Sequence, residues 1–267
     1  MSYFSTTLSR ALHLCLLIIM LILTLSMDKP AYSQHSKIMS QQDKTIELVF
    51  PKQSDQNAKI NHAIIWLHGL GASSSDFPPV VPELGVIPNR PIRFIFPQAP
   101  NRPITINGGM SMPGWYDIKG MNIADKQDIV GMTESQTMLE ALIQEQIDLG
   151  IPSTNIIIAG FSQGGAVVYH TGLRSKHKLA GLLTLSTYLP FADEFESNQS
   201  KVNLNTPIFA NHGTLDPVVP IQLGKTSADK LKGLGYQLEW RTYPMEHQVI
   251  IQQIRDIGTW INATFSE

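Results

Sequence analysis

The sequence has few charged residues and a single cysteine. Charged residues make up 16% of the 267 residues, and 20 Lys and Arg against 22 Asp and Glu give a formal net charge of -2. Because there is no basic excess, we expect no nucleic-acid partner. With Cys15 alone, the chain can form no internal disulfide and no zinc site built on several cysteines. Hydrophobic residues reach 43%, which excludes intrinsic disorder and is enough for a large core.

An apolar run occupies residues 11–25, directly after Arg10. The run is shorter than the roughly 20 residues that cross a bilayer, and it suits the apolar part of a secretory signal. The small residues Ala31 and Ser33 form a cleavage pattern, so we predict cleavage after Ser33 and export to the periplasm or the medium. The alternative is an uncleaved anchor, with residues 11–25 as the membrane contact. On this interpretation residues 34–267 form a single domain.

The remainder of the chain alternates strand and helix patterns. Short apolar runs, typical of strands buried on both faces, occur at 63–67, 94–96, 156–159, 181–185 and 208–210. Thr133 and Gln136 form a capping-box pattern that predicts the start of an amphipathic helix, and residues 249–261 predict another. The alternation predicts an α/β fold with a mainly parallel sheet and helices on both faces. Residues 97–131 do not fit it, and we expect this segment to be an irregular functional element at the carboxyl edge of the sheet.

A candidate nucleophile lies in residues 160–165, which read Gly-Phe-Ser-Gln-Gly-Gly and match the pattern G-x-S-x-G. The predicted strand 156–159 leads directly into the motif, and a helix-like stretch at 166–173 follows. This is the strand–turn–helix context of a nucleophile elbow, with Ser162 exposing its hydroxyl on a tight turn. The alternative is a serine in an ordinary glycine-rich turn.

A serine hydroxyl needs a histidine base, and that histidine needs a carboxylate to fix its tautomer. In this fold class the chain order is serine, acid, histidine. His247 alone follows both a strand pattern at 238–243 and the carboxylates beyond the buried strands, and it is predicted to open the last helix. Asp216 lies in a turn just after the strand 208–210 and is the preferred acid over Glu246, whose adjacency to His247 points it elsewhere.

An oxyanion hole requires two backbone N–H groups near the nucleophile. One is expected from Gln163, the residue after the serine, and the other from Leu70 in the loop that follows strand 63–67. His68, in the same loop, is interpreted as a loop-shaping histidine bound to backbone. Met112 and Trp115, in the irregular segment, predict an adaptable apolar acyl site. The alternative is that these two side chains only pack the segment down.

Seven motifs in chain order resemble the acyl-protein thioesterase and carboxylesterase family, also called the phospholipase/carboxylesterase family, of the α/β-hydrolases. They occupy residues 67–71, 96–100, 112–117, 160–165, 185–190, 212–220 and 243–247. The resemblance implies a triad of Ser162, Asp216 and His247, with Leu70 and Gln163 as oxyanion donors, and no metal or cofactor. The apolar start departs from the familiar members of the family, which are cytosolic.

The sequence therefore predicts a serine hydrolase that cleaves carboxylic esters or thioesters through an acyl-enzyme intermediate. Its partner is expected to be a small-molecule or acylated substrate. Two alternatives stay open from the residues alone: an exported non-catalytic binding protein on the same scaffold, and a peptidase of the same fold.

Overall fold

The computed structural model describes residues 45–52, 59–120 and 127–266. All described elements belong to one compact unit, Ser40–Glu267. Cys15, the apolar run at 11–25, the cleavage position after Ser33 and the domain start at residue 34 lie outside the described residues. The domain boundary therefore stays a prediction.

Seven strands of the described chain form the main sheet, and two more form a separate hairpin. The main-sheet strands are β1 (Ile46–Phe50), β2 (His62–Leu67), β3 (Ile92–Phe96), β6 (Ile156–Phe161), β7 (Gly181–Leu185), β8 (Ile208–Gly213) and β9 (Leu238–Tyr243). Their spatial order is β1-β3-β2-β6-β7-β8-β9. β1 pairs antiparallel with β3, and every other pairing in this sheet is parallel. Because the six main-sheet strands other than β1 run the same way, the loops after them meet at one edge of the sheet.

Helices cover both faces of this sheet. The α-helices of the described chain are α1 (Ile129–Asp148), α2 (Gln163–Gly172), α3 (Phe195–Asn198), α4 (Ile221–Gly233) and α5 (Ile251–Thr264). Side chains of α1, α2 and α4 pack into the core on one face, and those of α5 pack with the 3-10 helix Pro78–Leu84 on the other. The prediction of an α/β fold with a mainly parallel sheet between two helical layers is confirmed.

The predicted strands are confirmed, because continuous apolar runs fit the doubly buried centre of a parallel sheet. The segment at 97–131 differs from prediction, since part of it is ordered as a hairpin of β4 (Asn101–Ile104) and β5 (Met110–Pro113). The capping-box prediction is wrong. Helix α1 begins at Ile129, four residues before Thr133. The Thr133 hydroxyl donates to the carbonyl of Ile129 inside the helix.

Candidate active site

Ser162 lies between the end of β6 and the start of α2, at the carboxyl edge of the sheet. Its backbone has φ 54° and ψ -119°, a conformation that L-residues adopt rarely and that strains the turn. The N–H of Ser162 donates to the carbonyl of Leu185 on the neighbouring strand at 2.8 Å, which holds the turn in place. A methyl group on Gly160 would lie 2.4 Å from the carbonyl of Gly164, so the tight turn requires glycine at these positions.

His247 lies in the loop between β9 and α5 and contacts both other members of the predicted triad. Its Nε2 is 2.9 Å from the Ser162 hydroxyl, and its Nδ1 is 2.7 Å from Oδ2 of Asp216. The Phe161 ring packs against the imidazole with ring centroids 4.7 Å apart. The prediction that His247 opens the last helix is wrong, because α5 begins four residues later at Ile251.

The Asp216 carboxylate is buried in the loop after β8, and its two oxygens have different partners. Oδ1 accepts the N–H groups of Val218 and Val219, both at 2.9 Å, while Oδ2 faces His247. The buried His212 donates its Nε2–H to the carbonyl of Val219 at 2.8 Å and lies 3.6 Å from Oδ2 of Asp216. Burial lowers the pKa of His212, so this ring is neutral and serves to shape the loop.

The loop after β2 lies directly against the Ser162 turn. A methyl group on Gly69 would lie 3.5 Å from Cβ of Ser162, and one on Gly164 would lie 2.5 Å from the carbonyl of His68. The N–H of Gln163 has no acceptor within α2, because the first four N–H groups of a helix lack intrahelical partners. Leu70 follows Gly69 in this loop, and its role as an oxyanion donor beside Gln163 stays a prediction.

His68 stabilises the loop after β2 through hydrogen bonds of its ring. Its ring is buried, its Nδ1 donates to the carbonyl of Gly69 at 2.7 Å, and its Nε2 accepts the N–H of Ala99 at 3.1 Å. Burial lowers the pKa of His68 to about 4, so the ring is neutral at pH 7. These contacts agree with a loop-shaping role for His68.

The two residues predicted to contact substrate have different surroundings. Trp115 is only 1% exposed, and its indole N–H donates to the carbonyl of His68 at 2.8 Å. Its side chain therefore lies beneath the loop and has almost no surface to offer a substrate. Met112 lies on β5, is partly exposed, and has its sulfur 3.6 Å from the position that a methyl group on Gly71 would take. Of the pair, Met112 has surface available for substrate.

Three contributions to the site were missed by the sequence reasoning. The Thr187 hydroxyl donates to the carbonyl of Ser162 at 2.7 Å, the hydroxyls of Tyr116 and Tyr188 are 2.7 Å apart, and the Gln163 side chain contacts the chain at Trp115 and Tyr116. Thr187 and Tyr188 follow a buried strand and lie in the motif 185–190, and these were the available signals. No local sequence pattern predicts the Gln163 side-chain contacts, because they join residues that are 47 and 48 positions apart.

Comparison with known proteins identifies the family. The family model described as phospholipase/carboxylesterase matches residues 46–265. Acyl-protein thioesterase 1 of Gibberella zeae is 37% identical over 223 residues, covering 80% of this chain and 93% of the relative. The protein of the same name from Yarrowia lipolytica is 39% identical over 217 residues, covering 79% and 96%. Among solved structures, Arabidopsis thaliana SOBER1 superposes with a TM-score of 0.71 at 28% identity, covering 76% of this chain and 98% of that one.

These comparisons contradict the predicted export and its alternative, anchoring at a membrane. The finding that overturns it is the match to fungal relatives named acyl-protein thioesterase 1. The signal peptide predicted at residues 1–33 is not supported. A short apolar run with a small-residue pattern is a weak signal, and it misled the prediction here. Within the ranges that the structure describes, no helix is long and apolar enough to span a membrane.

The fold, the matched family model and the curated relatives lead to one conclusion. The enzyme class predicted from the motifs is confirmed at the level of a carboxylic ester or thioester hydrolase. The chain belongs to the phospholipase/carboxylesterase family of the α/β-hydrolases.

Proposed function

We propose that the enzyme hydrolyses acyl esters and thioesters with Ser162 as nucleophile, His247 as general base and Asp216 as the acid that orients the base. The observation that carries this proposal is the position of one imidazole, whose two nitrogens lie 2.9 Å from the Ser162 hydroxyl and 2.7 Å from the Asp216 carboxylate. With Nδ1–H donated to the buried carboxylate, Nε2 is left as an acceptor facing the hydroxyl. That arrangement is the one that proton abstraction from serine requires.

The reaction proceeds in two halves. Ser162 Oγ attacks the acyl carbon while its proton moves to Nε2 of His247, and the N–H groups of Leu70 and Gln163 hold the oxyanion that forms. The bond to the leaving group then breaks, and the alcohol or thiol takes the proton from His247. A water molecule attacks the acyl-enzyme in the same way, its proton passing through His247 to Ser162, and the carboxylic acid is released.

For the substrate, we propose an acyl chain joined to a cysteine thiol or an alcohol. The curated relatives are named acyl-protein thioesterases, which favours thioesters of acylated polypeptides. Large apolar side chains are exposed on two elements beside the site. Leu215 and Val218 flank Asp216 on its loop, and Met110 lies on β5, two residues before Met112. Apolar surface of this kind suits an acyl chain better than a charged group.

The proposal is tested by hydrolysis of p-nitrophenyl esters of graded chain length and of an S-octanoyl cysteine peptide. We expect wild-type activity on both substrate types and its loss in Ser162→Ala. Ser197→Ala is the matched control, because Ser197 is exposed on α3 and its hydroxyl only donates to a carbonyl within its own turn. That variant is expected to keep wild-type rates.

The other outcomes point to the alternatives. A folded wild type that hydrolyses no ester or thioester would favour a binding protein on this scaffold. Cleavage of an unacylated peptide amide at a rate above the esters would favour a peptidase. Ester hydrolysis that persists in Ser162→Ala would overturn the assignment of the nucleophile.

A further inference from the structure

One short segment, Pro113 to Tyr116, contacts both loops that carry the proposed oxyanion donors. We propose that the side chain of Gln163, distinct from its backbone N–H, is a positioning group that clamps this segment and thereby sets the distance between the two donors. The inference rests on the proposed function, since it concerns the site at which the oxyanion would form.

The first link joins the start of α2 to the segment. Oε1 of Gln163 accepts the N–H of Trp115 at 2.8 Å, and Nε2 of Gln163 donates to the carbonyl of Tyr116 at 2.6 Å. The Ser135 hydroxyl on α1 donates to the carbonyl of Trp115, which is a further hydrogen bond to the same segment. The amide of Gln163 thus spans two consecutive residues with one acceptor and one donor.

The second link joins the segment to the loop after β2. The Trp115 indole N–H donates to the carbonyl of His68 at 2.8 Å, and the N–H of Gly71 donates to the carbonyl of Pro113 at 2.7 Å. These two bonds lie on either side of Leu70 in the sequence. The two peptides on either side of the one that carries the Leu70 N–H are therefore bonded to the segment that Gln163 clamps.

Burial makes the loss of any of these hydrogen bonds costly in free energy. Gln163 is 2% exposed and Trp115 is 1% exposed, so neither side chain can exchange its partner for bulk water. A buried donor or acceptor left unpaired costs about 1–3 kcal/mol. Only an amide of this length offers one acceptor and one donor at its tip, because glutamate lacks the donor and methionine lacks both. The glutamine side chain therefore fits this site for a reason that is separate from its backbone N–H. Any residue except proline would supply that N–H.

The clamp affects how well the developing oxyanion is stabilised. Fixed N–H donors stabilise a developing oxyanion without reorganising, and losing one such donor in a serine hydrolase costs about 10²–10³-fold in kcat. Releasing the clamp leaves both N–H groups in place but frees the Leu70 loop to shift against Gln163. The expected effect is a smaller loss, confined to the step in which charge develops.

The experiment compares Gln163→Met with a matched substitution elsewhere, Gln146→Met. Gln146 is equally buried, on α1, and its amide has no hydrogen-bond partner within the described part of the chain. Kinetics on p-nitrophenyl butyrate are combined with inhibition by butylboronic acid, which forms a tetrahedral adduct on the serine. We expect kcat of Gln163→Met to fall about 10- to 100-fold with KM changed less than twofold, and the boronate inhibition constant to rise by a similar factor. Gln146→Met is expected to match the wild type.

A second variant keeps the inference testable if Gln163→Met does not fold. Trp115→Phe keeps the aromatic bulk and removes only the N–H that reaches His68, so kcat should fall about 3- to 10-fold with the boronate affinity. A kcat within twofold of wild type in both variants would overturn the inference, as would a loss of kcat with unchanged boronate affinity. An inactive wild type would instead reject the proposed function.

Discussion

The Asp216 carboxylate accepts the Nδ1–H of His247 at 2.7 Å through one oxygen and leaves the other oxygen to the backbone of its own loop. One oxygen thus orients the base, and the other stabilises the loop. A substitution can therefore disturb the orientation of His247 while the loop keeps its hydrogen bonds.

Asp216→Asn should be folded and nearly inactive. The asparagine Oδ1 can still accept the N–H groups of Val218 and Val219, but its Nδ2 would face His247 as a donor and favour the wrong imidazole tautomer. We expect kcat on p-nitrophenyl butyrate to fall by about 10³–10⁴ with the melting temperature little changed. Asp229→Asn, on the exposed face of α4, is the control and should retain full activity. A loss below tenfold in Asp216→Asn would contradict the orienting role.

The glycines around Ser162 should be intolerant of even one methyl group. Ala at Gly164 would place Cβ 2.5 Å from the carbonyl of His68, and we expect the free energy of unfolding to fall by about 3 kcal/mol or more. Gly233→Ala is the matched control, because nothing lies within 4 Å of its added methyl group at the end of α4. It should stabilise the protein by up to about 1 kcal/mol. Urea denaturation measures the free energy of unfolding of both variants. Equal changes in the two variants would contradict the close contact at Gly164.

Stability should fall as the pH drops below neutral. Burial lowers the pKa of His68 to about 4 and that of His170 to about 3, whereas both rings titrate near 6.5 in the unfolded chain. Below pH 6.5 the unfolded state therefore binds more protons, and the free energy of unfolding declines as pH falls from about 6.5 towards 4. His68 alone contributes about 3 kcal/mol to this decline. His68→Gln should flatten it in urea titrations at pH 7.5, 6 and 5, and an unchanged slope would contradict the buried neutral ring.

Met112→Ala should shorten the preferred acyl chain. The Met112 sulfur lies near Gly71, and the Asn107 side-chain amide approaches it at 3.4 Å. If the thioether contacts the acyl chain, its loss should lower kcat/KM for an octanoyl ester by about tenfold. That factor is about 1.4 kcal/mol, or the burial of roughly two methylenes at about 0.8 kcal/mol each. The acetyl ester is the internal control and should be hydrolysed at the wild-type rate. An equal loss on both esters would assign Met112 to support of the loop instead.

The central strands could be predicted because each is buried on both faces, which leaves an uninterrupted apolar run such as 181–185. The positions of Ser162, Asp216 and His247 followed from chain order and from the rule that parallel strands end at one edge. Strand β1 was missed, because it is a partly exposed antiparallel edge strand with a weaker pattern. The start of α1 was misplaced for a different reason. Asp128, its N-terminal flanking residue, uses its carboxylate to accept the N–H of Asp117 and leaves the helix N-terminus without a side-chain cap.

The roles of Trp115 and Gln163 depend on contacts between distant segments. An aromatic residue in a glycine-rich segment looks the same in sequence whether it lines a groove or supports a loop. Only the bond from the Trp115 indole to the carbonyl of His68 distinguishes the two. The same holds for Gln163, whose motif predicts a backbone donor and is silent on the amide.

The assignment of Ser162 as the nucleophile can be tested by reaction with a fluorophosphonate probe followed by peptide mass spectrometry, because the probe modifies an activated serine and identifies it. We expect a single adduct on Ser162, with labelling abolished in Ser162→Ala and slowed at least 100-fold in Asp216→Asn. An adduct on another serine, or ester hydrolysis by a protein that the probe leaves unmodified, would contradict it.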